Sequence, residues 1–462
     1  MRRRPPGAAA GRRVRDLAFI GFLLALLGLG LRRPFLFVLA YAYVDIVAPQ
    51  RLTYYLLNAV PLSLIVAMLA AGGWLLADDR RGARIAPRQI LILLLLGWCG
   101  VTTGWAAFPV EAADKWDWVW KALAFTAFLP LTLRTRLRME ALALFMTLSV
   151  ASIIIVGGIK TLLSGGGYGA LNLMVDNNSG LYEGSTISTV AIALVPLILH
   201  LRRHGTIYPP DGRVRLFAAA LIFACLILPV GTEARTGLVC IGVLGLLMLR
   251  DVRHRGAYLG ALAAAGLVAA PLLPDSFTQR MGTITEYKAD QSASTRLAVW
   301  RWTWDFAREP PLGGGFEAYR ANRVVVATER TAGIGNTVEA NPIIDKARAY
   351  HSAYFEMLGE QGFPGLLLWL AIQLGGLWRM EVIRRRYARA GPEDGWIASL
   401  ATALQHAQII YLVGAAFVAI AAQPFMLMLI GLQIGLDGWL KARDRGARRR
   451  PFVRPRAPAP AA

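Results

Sequence analysis

Three side chains stand out as able to do chemistry. His351 lies in "AYHSAYFEMLGEQGFPGLLLWL" (349–370), just ahead of an apolar run introduced by Gly362, Pro364 and Gly365. Arg235 lies in "GTEARTG" (231–237), and Arg296 in "STRLAVWRWTWDFAREPPLGGGF" (294–316). An imidazole that titrates near 6.5 suits a general base at neutral pH. A guanidinium fork suits a phosphate. Each also has a plainer reading. Arg235 could snorkel at an interface or pair with Glu233, Arg296 could be simply solvated, and a lone histidine near a membrane is commonly structural. The periodicity predicts a helix that begins at His351 and sets Tyr354, Phe355 and Leu358 beside it. Ser352, Glu356 and Glu360 supply nearby polar groups. A second helix would place Arg296, Val299, Trp300 and Thr303 on one face, with Trp300 and Trp304 at a bilayer interface. "EPPLGGGF" is a turn-rich loop in which glycine permits close backbone approach, and is weak evidence for phosphate binding.

The elements that position these residues are membrane helices. Of 462 residues, 56% are hydrophobic and only 17% charged, with a mean hydropathy of +0.46. Apolar runs long enough to cross a hydrocarbon core of about 30 Å cover 56–77, 89–108, 118–133, 139–163, 185–201, 216–230, 236–249, 256–273, 363–379, 399–421 and 424–440. A β-barrel would instead show short alternating segments. The expectation is an all-α polytopic membrane protein of about 12 transmembrane helices with one large periplasmic loop.

The net charge of +21 does not point to nucleic acid, because the arginines cluster in short links: 80–88, 134–138, 202–215, 250–255, 384–389 and 443–450. That is the positive-inside pattern. The remaining links, about 109–116, 164–184, 231–235 and 274–350, are then external. The last carries ten basic and nine acidic residues and lacks the inner bias. Five regions follow: an N-terminal transmembrane region (1–138), a central one (139–273), a periplasmic loop (274–350), a C-terminal transmembrane region (351–440) and a basic cytoplasmic tail (441–462). Near the N-terminus two apolar segments flank Arg32, Arg33 and Pro34. Either one is interfacial or re-entrant or the two form one broken span, with the arginines at a surface because burying them unpaired is costly. Cys99, Cys225 and Cys240 fall in apolar runs and form neither a disulfide framework nor a metal motif. His200, His204, His254 and His406 lie on inner links or in a span, so His351 alone shares a side with the isolated arginines.

"RTGL" at the head of a span, R-x-x-x-W followed by "PPLGGGF", and "HSAYFEMLGEQGFPGLLL" entering the next span occur in an order that resembles the O-antigen ligase and polymerase superfamily. Ser352 stands where that family commonly has Asn. The stretch "LRRPFLFVLAYAYVDIVAPQRLTYYLLNAVPLSLIVA" resembles the O-glycosylation ligase branch associated with exosortase A systems. The resemblance implies a metal-independent, cofactor-free transferase of the GT-C type in the bacterial inner membrane, its site facing the periplasm. It would move a glycan from undecaprenyl pyrophosphate to a hydroxyl acceptor, an exported protein or a lipid-linked sugar. His351 would be the general base, Arg235 and Arg296 would hold the diphosphate, and Glu356, Glu360, Trp300 and Trp304 would support them. A polysaccharide polymerase of the same superfamily fits the same motifs. A transporter or flippase fits less well, since neither an internal repeat nor a coupling acidic residue is visible in the spans.

Overall fold

The computed structural model describes residues 7–53, 60–78, 83–169, 171–174, 180–250, 254–269, 291–331 and 338–449, with the single positions 57, 80 and 252. Its helices are α1 (Gly7–Arg32), α2 (Phe35–Val47), α3 (Pro49–Leu52), α4 (Leu62–Ala77), α5 (Pro87–Thr103), α6 (Pro109–Thr132), α7 (Arg136–Ser164), α8 (Gly184–His204), α9 (Gly212–Gly231), α10 (Arg235–Met248) and α11 (Arg255–Ala269). After these come α12 (Gln291–Phe306), an antiparallel hairpin of β1 (Arg323–Thr331) and β2 (Val338–Lys346), and α13 (Ala353–Tyr387), α14 (Gly395–Ala415) and α15 (Pro424–Arg449).

Among the described residues, seven helices are long and apolar enough to cross a membrane: α1, α7, α8, α9, α13, α14 and α15. Four shorter apolar helices, α2, α4, α5 and α10, accompany them. The chain is an all-α polytopic membrane protein, with the hairpin as its one departure among the described residues. Helix α6 runs for 24 residues, but Glu111, Asp114, Lys115 and Asp117 lie in its first half and Lys121 just beyond it. The expected external link 109–116 is therefore the opening of a helix. The expected run 256–273 becomes α11, and 270–273 lie outside the described residues.

Helix α8 lies in the core. Its apolar window is 78% buried, and it packs on α7, α9, α10 and α14. Side-chain amides tie the spans together. Gln408 Nε2 donates to Gln373 Oε1 at 2.7 Å, Gln433 Nε2 to Gln408 Oε1 at 2.8 Å, and Arg88 to Gln433 Oε1 at 2.9 Å. Such bonds between helices compensate polar groups that lipid cannot solvate. The two N-terminal segments form a hairpin of helices turned at Arg33 and Pro34, with Arg32 and Arg33 exposed. Helix α2 is buried over most of its length, so it is an inserted helix of 13 residues rather than half of a broken span.

The basic links carry ion pairs. Arg138 makes a bidentate pair with Asp78, Arg250 reaches Glu381 at 2.8 Å, and Arg443 reaches Asp394 at 2.7 Å. Thr135, Asp211 and Glu183 cap α7, α9 and α8 by accepting main-chain N–H groups, which supplies partners for otherwise orphaned donors.

Candidate active site

The structure moves His351 off the helix. Ser352 is the N-cap of α13, with extended φ and ψ, and the helix begins at Ala353. His351 precedes the cap and sits in the left-handed region at φ 48°. The expected face shared with Tyr354, Phe355 and Leu358 is therefore absent, because a residue before the cap does not follow the helical period. What fixes His351 is its backbone. Asn322, fully buried, donates from Nδ2 to Arg348 O at 2.6 Å and accepts from Arg348 N–H at 2.9 Å. Trp300 Nε1 donates to Tyr350 O at 2.8 Å, and its ring stacks on Phe355 with centroids 5.1 Å apart. Clamps before and beneath hold a histidine in a conformation that costs free energy, a condition found where geometry serves function.

The imidazole is exposed at one end of the bundle. Desolvation by the surrounding protein and the charges of Arg296 and Arg348 hold its pKa below the ordinary value, while Glu183 acts in the opposite sense. Arg296 is thus within electrostatic reach of His351. Arg235 opens α10 at the same end. Ser188 and Thr232 hydroxyls are 2.8 Å apart, and Gly184 lies against Thr232. The start of α8, with Glu183, therefore abuts the loop leading to Arg235. The sequence reading missed Glu183, although an acidic residue ahead of "GSTIS" is a cap signal.

Trp300 is a half-buried clamp, and Trp304, 44% exposed, meets Phe363 edge-on at 6.0 Å and lies under Arg308. Glu356 and Glu360 turn into the protein. Lys115 Nζ lies 2.7 Å from Glu356 and 2.9 Å from Glu360. Ala421 N–H donates to Glu356 and Glu317 N–H donates to Glu360, at 3.0 and 3.1 Å. These carboxylates pin α6, α13 and the loop before α15 to one cation. Lys115 went unnoticed in the sequence because it is 241 and 245 residues from its partners.

The glycine-rich loop is structural as well. Helix α13 breaks at Gly362, where φ is 65° and ψ −169°, values open essentially to glycine alone. The loop enters that break. Gly314 N donates to Gly359 O at 3.0 Å, Gly315 N to Glu360 O at 2.9 Å, and Phe363 N to Pro311 O at 3.0 Å. A Cβ at Gly313 would collide with the backbone of 360–362, and one at Gly362 with that of 311–313. Trp105 donates to Gly313 O and Trp98 to Gln361 O. The amides that a phosphate would need are spent on the helix.

Beside this scaffold lies a cavity of about 720 Å³. Ala349 and Tyr350, the two residues before His351, line it, as do Lys115, Glu317 and Arg320. Arg320 is paired with Glu317 at 3.0 Å and lies 3.6 Å from Glu111.

These features define a multi-pass membrane protein with a histidine clamped among charged residues at one end of its bundle. Residues 14–206 match a family of unknown function (DUF5935). Residues 218–370 match the family described as O-Antigen ligase. No curated protein matches the chain. Residues 218–370 are thus similar to the O-antigen ligase superfamily, whose members are glycosyl-transferring ligases. That segment contains Arg235, Arg296, His351, Glu356 and Glu360.

Proposed function

We propose that this chain is an inner-membrane ligase that transfers a glycan from undecaprenyl pyrophosphate to a hydroxyl acceptor on the periplasmic side. The observation that carries the reading is the clamped His351, held by Asn322 and Trp300 within electrostatic reach of Arg296. In the reaction, an imidazole nitrogen of His351 takes the acceptor hydroxyl proton as the oxygen attacks the anomeric carbon. The bond from that carbon to the phosphate oxygen breaks, and its electron pair leaves with the diphosphate. Arg235 and Arg296 hold the departing charge, which needs preorganised cationic stabilisation. The lowered pKa of His351 leaves the ring neutral, and so free to accept a proton, at physiological pH. Glu356 and Glu360 serve the fold rather than the proton transfer, since Lys115 and two main-chain amides already engage them.

The test uses purified protein, lipid-linked glycan and acceptor. A positioned base contributes about 10²- to 10⁴-fold, so His351→Gln should lose transfer to that extent while still inserting and binding donor. A variant that transfers at the wild-type rate with an unchanged pH profile removes His351 from the mechanism. Arg235→Lys and Arg296→Lys keep the charge but lose the planar fork, and each should slow transfer. Wild-type rates in both would assign these arginines to structure.

A further inference from the structure

The end of the bundle opposite His351 holds another cavity. Helix α13 begins two residues after His351 and ends at Tyr387, so Arg384 lies at its far end. There a cavity of about 400 Å³ opens between α14 and the last turns of α8 and α13. Its wall carries Arg203, Arg384, His200, His204 and His406, and among the described residues no carboxylate lines it. Arg203 is exposed, while His200 and His406 are 6% and 1% exposed, so the cavity runs from the surface into the bundle. We propose that it binds the phosphate headgroup of an anionic phospholipid from the leaflet at that end. The proposal does not depend on the ligase reading.

Three observations support it. First, the charge there is lopsided. Elsewhere at this end the arginines meet their own acids: Arg138 with Asp78, Arg443 with Asp394 and Arg386 with Asp444. Beside the cavity Glu381 is shared by Arg250, Arg384 and Arg385. Arg136 adds a further cation, its guanidinium donating to His204 O at 2.9 Å. Like charges repel more strongly in a partly enclosed space than in water, and a bound anion relieves that repulsion. Second, the groups suit a phosphate. A guanidinium fork matches phosphate oxygens, and imidazole N–H groups donate as well. The imidazoles are already oriented: His200 Nδ1 lies 2.9 Å from Ser399 Oγ, and its ring stacks on His204 with centroids 5.5 Å apart. Third, the same wall has an apolar part, Leu199, Met248 and Val252. Inorganic phosphate gains nothing from it, whereas the hydrocarbon of a lipid does. The cavity stands where the arginine-rich links leave the spans, and basic pockets between spans on that side suit anionic headgroups. Its volume falls within the range of ligand pockets. A phosphate held by both Arg203 and Arg384 would tie the core helix α8 to the far end of α13.

The test uses the full-length protein in neutral detergent with added phosphatidylglycerol or phosphatidylcholine, and native mass spectrometry reads the bound lipid. Phosphatidylglycerol should be retained in preference to phosphatidylcholine. Arg203→Gln should weaken that retention about 12- to 150-fold, the loss of one hydrogen bond to a charged group. Arg203 is exposed, so packing survives its replacement, and thermal unfolding in detergent alone confirms it. Thr402→Glu places a carboxylate in the wall and should abolish the preference. Arg389, exposed at the same end and outside the cavity, is the control, and Arg389→Gln should leave retention unchanged. Equal losses in Arg203→Gln and Arg389→Gln mean diffuse surface charge alone and overturn the proposal, as does equal retention of the two lipids. Displacement of the lipid by millimolar inorganic phosphate assigns the cavity to a soluble anion and overturns the lipid reading.

Discussion

Replacing Lys115 with methionine strips the cation from between two buried carboxylates. The side chains of Lys115, Glu356 and Glu360 are 14%, 9% and 2% exposed, with ion-pair distances of 2.7 and 2.9 Å. At an effective dielectric of about 20, each pair at about 3 Å has a gross attraction of about 5 kcal/mol, most of it offset by desolvation. Removal of one partner from a buried pair typically costs about 3–5 kcal/mol, because the charge left behind stays buried. Here two charges of like sign are left facing each other, so the upper end, about 5 kcal/mol, is the expectation. For a chain of this length that corresponds to a fall of about 5–10 °C in the unfolding temperature. The triple variant Lys115→Met, Glu356→Gln, Glu360→Gln removes charge from all three. Its glutamine oxygens can still accept from Ala421 N–H and Glu317 N–H, the bonds the carboxylates now make. It should recover most of the lost stability, since replacing a whole buried ionic group is far milder than breaking it. Thermal unfolding of the three proteins in detergent, read by tryptophan fluorescence, decides. If Lys115→Met unfolds at the wild-type temperature, or the triple variant is no more stable than the single one, the cluster does not hold α6 to α13 in the way argued.

The acidic limb of the pH–rate profile should lie below the ordinary histidine value of about 6.5, because desolvation and Arg296 depress the pKa of His351. Activity is then lost as pH falls through that lowered value. Arg348→Gln removes a cation and should move the limb up, whereas Glu183→Gln removes an anion and should move it down; shifts of the same sign would contradict the electrostatic account. Trp300→Phe loses the bond to Tyr350 O and should lower kcat by about 10- to 100-fold with little change in donor KM, the mark of a misplaced reacting group. Gly362→Ala forces a side chain into a conformation that costs about 1–3 kcal/mol and against the 311–313 backbone, so folded yield should drop sharply; normal yield would show that the helix break is dispensable. Reporter fusions at Ala289 and Glu393 should give opposite sides of the membrane, and two cytoplasmic signals would end the periplasmic-site reading.

Hydropathy and charge made the membrane class legible, because the bilayer leaves few solutions for long apolar runs. They counted spans less well. Helix α2 is apolar but only 13 residues long and buried inside the protein, and the run expected over 118–133 is the later part of a 24-residue helix that starts at Pro109 with charged residues. The hairpin went unread although "RVVVA" is rich in β-branched residues; it lies in a segment judged by its charge balance alone. At the candidate site the sequence picks out residues by type, and their geometry was not legible. The start of α13 was set at His351, although Ser352 is the residue type that caps helices. Glu356 and Glu360 looked like polar neighbours of the histidine. Their partner Lys115 lies 241 and 245 residues upstream, a distance over which no periodicity carries information.

The break at Gly362 accounts for the position of His351. An unbroken α13 would satisfy Gly359 O from Phe363 N–H, whereas Glu360 O faces Pro364, which has no N–H to donate. The break frees Gly359 O as well, and Gly314 and Gly315 of the loop take the two carbonyls. The loop following α12 is thereby locked to the head of the α13 span, and α12 carries both Arg296 and Trp300. Trp300 in turn holds Tyr350 O, one residue before His351. One chain of hydrogen bonds, backbone in the loop and side chain at Trp300, therefore links a membrane helix to the segment carrying His351 and to the helix carrying Arg296. On the proposed reading, the donor is a lipid whose diphosphate lies at the membrane surface. Its depth is set by the bilayer, so the base and the cation must be fixed relative to a spanning helix rather than to a mobile loop. The glycines are needed because only backbone without Cβ atoms can approach the broken helix closely enough to make that lock.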